Sequence, residues 1–120
     1  MIKKLLSGLD EPAFLRRHWQ KKPLLARQSL PGYTGLLGRD ALFGLAARDD
    51  VQSRLVIRNR GRWRVEHGPF VKRELARLPK TCWTLLVQGI NHVLPQAQEL
   101  LLEFSFIPYA RLDDVMISYA

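Results

Sequence analysis

At 120 residues, 47% hydrophobic and 25% charged, the chain suits one globular unit and not a disordered tail. It has no run of about 18 apolar residues that could cross a membrane, and Asp10 and Glu11 cut the apolar start MIKKLLSGL too short for a signal peptide. A single cysteine, Cys82, excludes an internal disulfide and fits a reducing cytoplasm.

The formal net charge is +8. Much of it lies at the front, where Lys3, Lys4, Arg16, Arg17, Lys21, Lys22 and Arg27 oppose only Asp10 and Glu11. Such an imbalance favours anionic partners, with RNA or a ribonucleoprotein first among them, although a plain solvated basic surface accounts for it equally well. Asp10 is placed to cap a helix whose first turn holds Glu11 and Pro12. Phe14, Leu15, His18 and Trp19 form its apolar stripe. The basic residues fall on or beyond the polar side, and Pro23 stops the helix. Trp19 could stack on a base, but its spacing with Phe14 and Leu15 favours packing in the core. Leu24 and Leu25 predict a short strand.

Residues 29–38, SLPGYTGLLG, read as a loop by Pro31 and three glycines. Asp40 is the expected cap of a helix over residues 41–48, with Leu42, Leu45 and Ala46 as its stripe. Residues 54–58 and 62–66 predict a hairpin around the three-residue turn 59–61. With that turn, Leu55 and Ile57 face Trp63 and Val65 on a buried side, and Arg62, Arg64 and Glu66 face solvent. Residues 71–78 form a helical turn halted by Pro79. Residues 83–89 form a strand so continuously apolar that both faces should be buried. Asn91 caps a helix with Pro95 early in it, and Ala97, Leu100, Leu101 and Phe104 give a clean amphipathic spacing.

The chain has three histidines, His18, His67 and His92. No pair has metal-ligand spacing, and HExxH, His-x-Asp and CxxC are all missing from the sequence. A facial iron site needs two histidines and a carboxylate, and no recognisable motif supplies it, so His67 and His92 read as hydrogen-bonded structural residues. Cys82 reads as a buried structural thiol.

The last ten residues, RLDDVMISYA, alternate as a strand. Val115, Ile117 and Tyr119 point to one face, and Asp114, Met116 and Ser118 to the other. A carboxylate beside a thioether is an unusual pair to bury unless a cation meets it. The strand runs to the end of the sequence without a cap, so it reads as the first strand of a larger sheet, prone to self-association when alone. Asp113 and Asp114 could equally mark the strand entry.

RLDDVMISYA resembles the segment that enters the double-stranded β-helix of the bacterial JmjC/cupin ribosomal oxygenases. FLRRHWQKKPLL at residues 14–25, SRLV at 53–56 with HGPF at 67–70, and WTLLVQGINH at 83–92 match the same family in the same order. The chain is similar above all to the arginine 3-hydroxylases of ribosomal protein L-sixteen. The resemblance implies an α+β architecture, with residues 1–110 as an N-terminal portion and residues 111–120 as the first strand of an incomplete JmjC/cupin barrel. It implies an Fe(II)- and 2-oxoglutarate-dependent dioxygenase, a ribosomal-protein substrate and a homodimer. It also implies that the iron motif and the dimerisation region follow this segment, leaving these 120 residues inactive alone and without bound cofactors. The family positions matching Asp114 and Met116 line the substrate-arginine pocket. A carboxylate suits a guanidinium through two parallel hydrogen bonds, and a thioether suits its aliphatic stem. Asp113 points away and pairs with a surface base such as Arg111. A different class also fits the composition: a small basic RNA- or ribosome-binding module, complete at this length and without catalysis.

Overall fold

The structure, a computed structural model, describes residues 2–120 and their side chains from Lys4 onward; the charge expected at Lys3 lies outside the described side chains. The α+β class expected from the sequence is the one observed, with five short α-helices, two 3-10 turns and an open four-stranded antiparallel sheet among the described residues. The chain forms two compact units, one of residues 1–35 and 102–112, the other of residues 36–101 and 113–120.

In the first unit, α1 (Ile2–Leu5) is followed by α2 (Glu11–Arg17). The Asp10 side chain accepts a hydrogen bond from the Ala13 amide at 2.8 Å, capping the helix as its position predicts. Phe14, Leu15, His18 and Trp19 are half-buried while Arg16 and Arg17 are exposed, so the expected stripe holds. Phe14 packs edge-on against Phe106 at 5.5 Å between ring centroids. The helix stops well before Pro23, and Gln20 takes a left-handed conformation with φ 56°. Leu24 and Leu25 make no strand, and Leu25 is exposed: two adjacent leucines without a pairing partner leave their backbone to solvent.

The second unit carries the sheet. Its elements are α3 (Arg39–Ala46), β1 (Ser53–Asn59), β2 (Arg62–His67), α4 (Lys72–Ala76), β3 (Trp83–Val87), α5 (Pro95–Leu102, whose last residue belongs to the first unit) and β4 (Ile117–Tyr119). The strand order is β2-β1-β3-β4. One face holds Leu55 and Ile57 of β1, Leu85 and Val87 of β3, and Ile117 and Tyr119 of β4, matched by register. Leu42 and Ala46 of α3 and Leu75 of α4 join this face in the core. The α3 stripe is thus as expected, but Gly38 and not Asp40 is the N-cap, and Asp40 lies in the first turn, where its charge suits the helix dipole.

The hairpin forms with a different register from the one expected. Asn59 pairs with Arg62 and Arg58 with Trp63, so the loop is the two residues Arg60 and Gly61, both left-handed, with φ 52° and 77°. Because strand side chains alternate, a one-residue slip turns the whole strand over. Trp63 and Val65 therefore lie on the side of Arg58 and Val56, away from the core, and Trp63 is 70% exposed. The expected burial of Trp63 is overturned. Arg64 and Glu66 lie across from Ile57 and Leu55 instead.

β3 is shorter than expected and is fully buried on one side only. Leu85 and Val87 are fully buried, and Trp83, Thr84 and Leu86 are half-buried. Cys82 is exposed with φ 69°, not a buried thiol: it sits at the bend that delivers the chain to β3.

Candidate functional site

The regular part of β4 covers only three residues, yet the preceding segment is also fixed. The Ile90 amide donates to the Val115 carbonyl at 3.0 Å, and the Val115 amide donates to Asn91 Oδ1 at 3.0 Å. Gly89, with φ 65°, turns the chain after β3 so that its own amide donates to Asp114 Oδ2 at 2.7 Å. Residues 89–91 thereby continue the grip of β3 on the final segment beyond the Val87–Ile117 pair. Asn91 is not a helix cap as expected. It lies in a 3-10 turn, and α5 begins four residues later at Pro95.

Val115, Ile117 and Tyr119 pack against the core as their alternation predicts. Asp114 is half-buried, and Met116 and Ser118 are exposed. The hydrogen bond to Gly89 fixes one carboxylate oxygen of Asp114 and orients the other. Asp114 lines a cavity of about 340 Å³ with Asp50, Gln52, Gln88, Gly89, His92 and Asp113 among its walls. Met116 is not among those walls, so the structure does not bring the two expected site residues into one cavity. Asp113, expected to point away toward Arg111, lines the same cavity, because the irregular backbone before Ile117 does not keep strict strand alternation.

Among the described residues, the cation that pairs with a carboxylate of this cavity is Arg48. Its Nε and Nη2 reach Asp50 Oδ1 and Oδ2 at 2.8 and 2.6 Å. These hydrogen bonds hold the Asp50 carboxyl below its ordinary value and the Arg48 guanidinium above its own. No ion pair among the described residues engages Asp113 or Asp114. The cavity therefore presents two carboxylates without an ion-pair partner among the described residues, one of them held by the Gly89 amide, and a third already matched, an arrangement suited to a cation. Sequence reasoning missed the roles of Gly89 and Asn91. A glycine and an asparagine directly after a buried strand were the available signal for a turn that captures another segment.

His18, His67 and His92 are spread over α2's end, β2's end and the 3-10 turn, and no group of three or more His, Cys, Asp or Glu side chains able to hold a metal ion forms among the described residues. No helix among them is long and apolar enough to cross a membrane.

No protein-family model matches the sequence. The chain is 40% identical over 112 residues to the ribosomal protein uL16 3-hydroxylase of Escherichia coli, a match covering 93% of this chain and 30% of that protein. It is 38% identical over 108 residues to a probable ribosomal oxygenase of Haemophilus influenzae, covering 89% of this chain and 26% of the relative. Among solved structures it is similar to YcfD, a ribosomal oxygenase from Escherichia coli, in complex with cobalt and 2-oxoglutarate, with a TM-score of 0.84, 40% identity, and coverage of 93% of this chain and 30% of that one. A complex of the same oxygenase with cobalt and succinic acid matches with the same TM-score. The chain thus spans less than a third of the length of these relatives. Over nearly its whole length, this chain is homologous to part of the bacterial ribosomal oxygenases.

Proposed function

We propose that this chain is the N-terminal part of a 2-oxoglutarate- and Fe(II)-dependent oxygenase that hydroxylates an arginine side chain of ribosomal protein uL16. The observation that carries this is the 40% identity, over 93% of the chain, to a uL16 3-hydroxylase. In this proposal residues 1–110 form the N-terminal portion, and residues 111–120 lead into the JmjC/cupin barrel. The iron and 2-oxoglutarate are held by parts of the oxygenase that this chain does not match. When bound, they supply the oxidising chemistry, and the residues of this chain supply substrate binding. A cytoplasmic location follows from a ribosomal substrate, and the whole protein is a homodimer by family resemblance. The basic N-terminal region, with Arg16, Arg17, Lys21 and Lys22 exposed, is suited to contact rRNA during substrate capture.

Asp114 receives the substrate guanidinium in this proposal. Support comes from its half-buried carboxylate, fixed through Oδ2 by the Gly89 amide, with Oδ1 left to accept. Met116, two residues further on and 47% exposed, packs along the aliphatic stem of the arginine. The test replaces the matching span of the E. coli relative with this chain and follows uL16 hydroxylation by the one-oxygen mass gain. Asp114→Asn keeps an oxygen to accept from Gly89 and loses the charge, so it preserves the fold and weakens productive binding. Asp114→Ala loses both, with a cost of about 2–5 kcal/mol in productive binding. Metal and 2-oxoglutarate affinities remain in both variants. Full hydroxylation by Asp114→Asn, or equal loss in Asp113→Ala, removes Asp114 from the role.

A further inference from the structure

The β1–β2 hairpin carries chemistry that arginine capture by Asp114 does not use. Between Arg54 and Glu66 it holds four arginines besides Arg54 and one carboxylate, Glu66, which Arg64 Nε meets at 2.9 Å. At the tip Trp63 is 70% exposed, and the Arg58 guanidinium carbon lies 5.7 Å from its ring centroid. Around the same tip, a cavity of about 590 Å³ is lined by Arg58, Arg60, Arg64 and Arg77, with Asn59 beside them and no carboxylate. Arg64 is matched by Glu66, but Arg58, Arg60 and Arg77 make no ion pair among the described residues, and an arriving polyanion relieves their mutual repulsion while releasing its own counterions. The indole stands outside that cavity, on the outer side of the hairpin with Arg58, Val56 and Val65, and its open face is ready to take a flat ring.

We infer that the tip of this hairpin, Arg58 to Arg64 together with Arg77, binds single-stranded RNA. The arginines meet phosphates, and Trp63 stacks on an unpaired base. Arginine and tryptophan are enriched in protein-docking patches too, but the cores of such patches carry little charge, whereas this tip concentrates four arginines around one ring. A duplex keeps its bases stacked internally and offers none to an indole, whereas single strands splay theirs out. The surface is separate from Asp114, so its test does not depend on the oxygenase assignment.

The test measures anisotropy of a labelled oligouridine with the 120-residue chain over a series of salt concentrations. Trp63→Ala weakens binding about ten-fold, the scale of one lost base stack, while Trp63→Phe keeps most of the affinity. Arg60→Gln and Arg62→Gln each lower the salt slope by roughly 0.7, the amount that one neutralised phosphate of a single strand accounts for. Circular dichroism of each variant matches the parent, since these side chains are exposed. Duplex RNA of equal length binds more weakly. The inference is overturned if Trp63→Ala leaves affinity unchanged, or if duplex RNA binds as tightly. It is also overturned if light scattering shows that Trp63→Ala dissolves a dimer without changing RNA affinity, which makes the tip a self-association face.

Discussion

β1 and β2 are the two arms of one hairpin, and they have opposite fates. β1 lies between β2 and β3, and Leu55 and Ile57 on its inner side are buried. β2 is an edge strand in which only Glu66 is even half-buried. Both arms alternate in sequence, and both offer apolar residues. Alternation tells that a strand has two sides, but position in the sheet decides how much either side is covered. The covered arm stabilises the fold, and the uncovered one is free to carry arginines that a core would not accept and to leave an indole in solvent.

The sharpest way to break this comparison is to truncate one apolar side chain on each arm. Leu55→Ala removes packing at a site 3% exposed and costs about 2–5 kcal/mol, as buried leucines do. Trp63→Ala removes the larger side chain and changes stability by only about 0.5 kcal/mol, because an exposed ring loses little on truncation. Urea denaturation of both variants checks the ordering. Equal losses would mean that Trp63 is covered in solution and that β2 pairs with β1 one residue out of the Arg58–Trp63 register.

The second test addresses the turn that sets the register. Gly61 has φ 77° and Arg60 φ 52°, so both loop residues occupy the region that costs an L-residue about 1–2 kcal/mol. Gly61→Ala lowers stability by about that amount. Arg60→Asn, which creates the Asn-Gly pair preferred in such turns, raises it. A three-residue turn centred on Arg60 would show neither effect. The measurement is the shift in urea midpoint at constant slope.

The same turn shows where the sequence stopped being legible. Asn59 and Gly61 bracket an arginine, and an arginine is not the residue that usually announces a left-handed loop position. The asparagine that looked like part of the loop instead pairs with Arg62. The helix at Asp10, the stripe of α3 and the inward set of Val115, Ile117 and Tyr119 were legible because caps and periodicity act over a few residues. The hold of Gly89 on Asp114 spans 25 residues and runs through a backbone amide, which leaves no side-chain signature. The segment before Ile117 escapes strict alternation for the same reason: its conformation is set by residues 89–91 and not by its own pattern.

The smallest expected effect lies just before β1, where Arg48 and Asp50 are paired in solvent. The Asp50 carboxyl is held below its ordinary value of 3.8, first by the hydrogen bonds from Arg48. A carboxyl depressed in the folded state binds protons more weakly there than in the unfolded chain. Its contribution is therefore present above the ordinary carboxyl range and is lost as pH falls through the depressed folded value. Asp50→Asn should lower the melting temperature slightly at neutral pH, and the gap to the parent should close as pH drops below about 3.8. Both side chains are well exposed, so solvent screens the pair, and added salt should shrink the neutral-pH gap as well. A gap that instead persists in acid and in high salt would make Asp50 a packing residue of its cavity wall. Leu55, Gly61 and Asp50 would then differ in degree and not in kind, and the contrast between covered and solvated parts of this unit would fail at its weakest point.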